Sequence, residues 1–99
     1  MSDFNMGSSN WPGLSKLVEE AGEVLQVAGK LMAMGGAVDH WDGQNLKKEI
    51  VDELADLLAA IDFFVHVNEL DERAISIRKN EKYGRFLGWH VEHGGLLPE

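Results

Sequence analysis

Residues 52–64 read DELADLLAAIDFF. Leu54, Leu57, Leu58, Ile61 and Phe64 recur at i, i+3, i+4 and i+7, the period of one face of an α-helix. No apolar–polar alternation competes with it, so a strand is excluded here. The pattern extends back through Ile50 and Leu46 to Asn45, a good N-cap type, and forward through Val65 to Asn68. A long amphipathic helix over about 45–68 follows.

Upstream, Leu14, Leu17, Ala21, Val24, Ala28 and Leu31 repeat the same period and predict a helix over 14–34. Ser15 is its expected cap, Gly35-Gly36 its stop, and Met32 and Met34 are read as core filler. Gly22 and Gly29 lie inside it, each costing about 1 kcal/mol against alanine. Residues 35–44, GGAVDHWDGQ, form a loop carrying Trp41. Downstream, Asp71 caps a third helix over about 71–84, stopped by Gly84. The expected organisation is a flexible N-terminal arm (1–13), a single helical domain (14–86) and a C-terminal tail without a period (87–99), mobile or docked on a partner subunit. The class is all-α.

The 99 residues suffice for one domain. A chain this size buries only about 60–65 % of its unfolded surface, so its core is thin. Three helices leave an apolar flank uncovered, which predicts an antiparallel helical bundle completed by self-association, as a homodimer or homotetramer. With no cysteine, disulfide scaffolds and thiolate zinc sites are excluded. A net charge of −8 argues against nonspecific binding to nucleic acid or to an anionic membrane. No stretch reads as a membrane span or a signal peptide, so a cytoplasmic location is expected. The charge is uneven. Residues 14–70 hold 11 acids and four bases, whereas 71–90 hold three acids and five bases.

A helical wheel makes the acids informative. With Leu17 at 0° and about 100° per residue, the first helix has its apolar arc from about 320° to 100°. Glu20 falls at about 300°, Glu23 at about 240° and Glu19 at about 200°. With Leu54 at 0°, the second helix has its arc from about 280° to about 60°, with Glu53 at about 260°, Asp56 at about 200° and Asp52 at about 160°. Each long helix thus carries an i, i+3 carboxylate pair beside its apolar stripe: Glu20/Glu23 and Glu53/Asp56. Packed antiparallel through those stripes, the helices bring four carboxylates together. Two carboxylates about 5 Å apart repel by roughly 3 kcal/mol at an effective dielectric near 20. A convergent quartet therefore calls for a cation, and oxygen-only donors suit Mg²⁺, with Mn²⁺ as substitute. The competing reading is a pair of solvated acidic helix faces.

Glu19-Glu20-Ala21-Gly22-Glu23 reads as E-E-x-x-E and Glu53-Leu54-Ala55-Asp56 as E-x-x-D. In this order, on amphipathic helices and within DELADLL, they resemble the MazG-like all-α nucleoside triphosphate pyrophosphohydrolases over residues 14–86. Glu49-Ile50-Val51-Asp52 is a second E-x-x-D, set aside because Asp52 points away from the core and DELADLL marks the later pair. The spacer between Glu23 and Glu53 is long for the family. The resemblance implies metal-dependent hydrolysis of (deoxy)nucleoside triphosphates to monophosphate and pyrophosphate, in nucleotide-pool control or sanitation. It implies metal ligation by Glu20, Glu23, Glu53 and Asp56, with Glu19 as candidate catalytic base. Lys79-Asn80-Glu81-Lys82-Tyr83-Gly84-Arg85 resembles the family's triphosphate-holding stretch. Lys79, Lys82 and Arg85 would grip the β- and γ-phosphates, with Asn80 and Tyr83 as hydrogen-bond donors.

Trp11 and Trp41 flank the first helix and suit either base stacking or an anchoring role at a subunit interface. His90 and His93 have a metal-compatible spacing but no third ligand nearby, and read as surface histidines. Two rival functions stand beside the main one: phosphoribosyl-ATP pyrophosphatase, another small all-α family with similar carboxylate pairs, and a non-catalytic helical dimerisation module.

Overall fold

The computed structural model describes residues 3–39 and 43–98. They form three helices, α1 (Leu14–Ala33), α2 (Leu46–Val67) and α3 (Glu72–Glu92), with no strand among the described residues. The all-α reading holds, and α1 and α2 end within a residue or two of their expected limits.

Asn45 caps α2 as anticipated, its side chain accepting from the Lys48 N–H, and Asp71 caps α3 by accepting from Ala74. The start of α1 differs. Gly13, not Ser15, is the N-cap, in the left-handed region with φ 85° and no side-chain cap. The arm doubles back and supplies carbonyls instead: Trp11 O accepts from the Leu14 N–H at 3.0 Å and Phe4 O from the Ser15 N–H at 2.9 Å. Gly13 is also where Phe63 comes close, since a Cβ there would meet the Phe63 ring at 2.9 Å. The arm is tied to α2 as well. Trp11 stacks on Phe64 with centroids 5.8 Å apart, and Asn68 Nδ2 donates to Pro12 O at 2.9 Å.

Gly35-Gly36 stops α1 as expected, through a Schellman turn in which the Gly36 N–H reaches Leu31 O and the Gly35 N–H reaches Met32 O. The expected stop of α3 at Gly84 is wrong. The helix runs on through Gly84 and Gly88 to Glu92, so the 86/87 domain boundary falls inside it. A helix-interior glycine costs only about 1 kcal/mol, less than the continuing backbone bonds and the next real cap supply. That cap is Gly94, at φ 83°, with the Gly95 N–H on His90 O.

α1 and α2 pack against each other antiparallel: Lys30 lies beside Gln44 and Glu49, Glu20 beside Glu53, and Gly13 beside Phe63. The contact does not run through the centres of the apolar stripes. The buried residues are Glu20 and Val27 on α1 and Leu46 and Ala60 on α2, all at about 240–300° on their wheels. The stripe centres stay open: Leu25 is 72 % exposed, Met32 83 %, Leu54 44 % and Leu58 62 %. Met32 is therefore not core filler. α3 packs closely on neither partner, and nearly all its residues are exposed. The Cα radius of gyration is 16.6 Å, against about 13 Å for a compact chain of this length.

Candidate functional site

The off-centre packing decides the site. Because the two helices meet along the acid-bearing edges of their stripes, Glu20 of α1 faces Glu53 and Asp56 of α2. One carboxylate oxygen from each lies within 4.8 Å of the others. Glu20 is the most enclosed: its side chain is 11 % exposed. Glu53 is half-buried and Asp56 exposed. Glu23 stands outside this trio but acts on it electrostatically. The Glu53 carboxyl is pushed up from its ordinary value, chiefly by burial and then by the charges of Glu23, Asp56, Glu20 and Asp52.

Lys16 is a site residue that the sequence reading misses, although i, i+3 and i, i+4 spacing to Glu19 and Glu20 is an available signal. Its Nζ lies 3.2 Å from Glu20 and 3.4 Å from Glu19. The hydrogen bond to Glu20, then that to Glu19, holds its ammonium above the usual lysine range. Glu19, the candidate base, is 58 % exposed and bound to Lys16. Beside the trio a cavity of about 560 Å³ opens between the arm, α1 and α2. Glu20, Asp56 and Lys16 form its polar rim, and Met6, Ala60 and Phe63 are apolar lining. Phe63, at about 180° on the α2 wheel and outside the expected apolar arc, gives no sequence signal.

The rejected pair behaves differently. Asp52 points outward and pairs with Lys48 at 3.0 Å. Glu49 lies 3.9 Å from Lys30, with its Oε2 enclosed and lacking a hydrogen-bond partner.

The basic residues do not gather here. None of Lys79, Asn80, Lys82, Tyr83 and Arg85 lines the cavity beside the carboxylates. Lys79 instead borders a second hollow of about 370 Å³ between α2 and α3, with Ile61, Asp62, His66 and Ile75. Trp11 lies against Phe64 and is 52 % exposed. Trp41 lies outside the described residues. His90 and His93 are engaged with backbone carbonyls, Leu96 O at 3.0 Å and Trp89 O at 2.7 Å.

The trio is an acidic cluster of a kind that could hold a metal ion. All its donors are carboxylate oxygens, the ligand type of hard cations, and they come from two packed helices. No family model, curated protein or solved structure matches this chain.

Proposed function

We propose that this chain is a metal-dependent nucleoside triphosphate pyrophosphohydrolase of the MazG-like kind, releasing a monophosphate and pyrophosphate. The observation that carries the reading is the convergence of Glu20, Glu53 and Asp56 beside a partly apolar cavity. E-E-x-x-E and E-x-x-D supply those residues in order along the two helices. Glu20, Glu53 and Asp56, with Glu23 nearby, would hold Mg²⁺ or Mn²⁺. When bound, the ion supplies charge neutralisation for the phosphates and a polarised water.

The chain's own residues supply the rest. Glu19 offers an exposed carboxylate to take a proton. Met6 and Phe63 offer apolar surface to a base or ribose. Lys79, Lys82 and Arg85 carry charge suited to a triphosphate tail. They stand away from the cavity in a single chain, so the reading includes assembly as a homodimer or homotetramer. The apolar faces left open on all three helices support that assembly. They equally favour the second reading, a helical dimerisation module without catalysis. The setting proposed is the cytoplasm, which accords with the described residues holding no helix long and apolar enough to cross a membrane.

The test is magnesium-dependent pyrophosphate release across a panel of ribo- and deoxyribonucleoside triphosphates with phosphoribosyl-ATP. Release from nucleotides is expected. Release from phosphoribosyl-ATP alone would reassign the substrate, and none from any member would leave the dimerisation module.

A further inference from the structure

Glu20 is the most buried acid of the candidate site, and its partner is already a cation. Lys16, one turn earlier on α1, places Nζ 3.2 Å from Glu20 Oε1 and 3.4 Å from Glu19 Oε1. It contributes the basic side chain of the cavity that Glu20 and Asp56 border. A divalent ion held by Glu20, Glu53 and Asp56 would share the Glu20 carboxylate with the Lys16 ammonium. An ammonium 3.2 Å from Glu20 would then lie within a few ångströms of a doubly charged ion, where like charges repel strongly. The two cations compete for one carboxylate.

We propose that Lys16 is a tethered counter-ion of the carboxylate cluster, which a divalent cation must displace before it can bind, and that this competition makes the site select double over single charge. The inference rests on the proposed metal site and adds a residue to it. A tether gives the ammonium a high effective concentration at Glu20. A free monovalent ion brings the same charge without that advantage and does not displace it. A divalent ion brings twice the charge and engages three carboxylates, so it does. Lys16 is 40 % exposed in its side chain, so it has room to swing away while α1 stays in place.

The experiment uses Mn²⁺ alone, with free ion read by electron paramagnetic resonance during titration of the full chain. Lys16→Gln removes the charge and keeps a hydrogen-bonding group for Glu20. Lys16→Met repeats the test should the glutamine variant fold poorly, and Lys16→Arg keeps the charge. Both neutral variants are expected to bind Mn²⁺ about three- to tenfold more tightly than wild type, with Lys16→Arg within about twofold. At equal ionic strength, KCl compared with choline chloride should raise the Tm of the neutral variants and leave wild type unchanged. Saturable Mn²⁺ binding of equal strength in wild type and neutral variants overturns the role of Lys16 while keeping the metal site. No saturable binding in any variant removes the metal site and the inference together. Binding seen only in the neutral variants is the tether in its strongest form.

Discussion

Asp52 and Asp56 lie one turn apart on α2 and meet different surroundings. Asp52 holds Lys48 across open surface, while Asp56 joins Glu20 and Glu53 across the helix pair. On the proposed function, Asp56→Asn should lower kcat/KM for a nucleoside triphosphate by at least about 100-fold with helicity unchanged, since it removes a charge from the proposed metal site. Asp52→Asn should alter activity less than twofold and stability by about 0.2–1 kcal/mol, the range for an exposed ion pair. Reversal of the two outcomes would move the site by one turn. Glu53 adds a pH signature. A carboxyl whose pKa rises on folding binds its proton more tightly in the folded state, so stability falls as pH rises from the ordinary 4.5 through the raised value. Without metal, Glu53→Gln should therefore raise Tm at pH 7, and the gain should vanish toward pH 4, where both states are protonated. Thermal melts at the two pH values check this, and an equal gain at both would assign the effect to packing. The trio is legible in the sequence because wheel angle and the DELADLL context together separate Asp56 from Asp52. Lys16 and Phe63 are not: one reads as an ordinary i, i+4 surface pair, and the other becomes lining only because the arm folds back over α2.

At the scale of elements, each helix ends in the same way. α1, α2 and α3 all close with a Schellman turn whose C′ residue is left-handed: Gly35, Glu69 and Gly94. Glycine takes that conformation freely, and for a residue with a Cβ it costs about 1–2 kcal/mol. Glu69, at φ 51°, is the exception, held by the Glu69 N–H on His66 O and the Leu70 N–H on Val65 O. Part of its cost returns as unfolded-state entropy when glycine replaces it, leaving a net gain of about 0.5–1 kcal/mol for Glu69→Gly. For a chain of this size that raises Tm by roughly 2–8 °C, measured by circular dichroism. A fall in Tm would mean the Glu69 side chain has a role that its backbone geometry does not reveal. The same rule explains why sequence alone understates the length of α3. Gly84 has helix on both sides and no left-handed φ, so as a stop signal it is indistinguishable from Gly35 until backbone angles are known. Gly22 and Gly29, inside α1, do not mislead, because apolar periodicity continues past them.

For the whole molecule, the thin core and the open stripes have one origin. α1 and α2 use the acidic edges of their stripes to meet each other, which leaves Val18, Leu25 and Met32 on α1 and Val51, Leu54 and Leu58 on α2 facing outward. Among the described residues the buried apolar side chains are Val27, Leu46 and Ala60, and of these Leu46 is fully enclosed. The smallest extent of the molecule is 18 Å, close to one layer of helices, whereas a stable domain needs a second layer over its apolar face. A second copy brings an identical face, and a two-fold arrangement covers both at once. α3 extends the demand, since Ile75, Phe86 and Trp89 are exposed and share a face with Lys79 and Lys82. Sedimentation velocity at micromolar concentration should therefore give a multiple of 11.0 kDa. Leu58 is 62 % exposed in one chain, so in a lone monomer Leu58→Lys should change stability by no more than about 0.5 kcal/mol. In an assembly through the α2 face, the same change buries an unpaired ammonium and should drive the species toward 11.0 kDa while lowering Tm. Tm of the wild type should also rise with protein concentration, because association stabilises only the folded chain. A wild type that sediments as a stable monomer, with Tm independent of concentration and indifferent to Leu58→Lys, would show that the open stripes are tolerated without a partner.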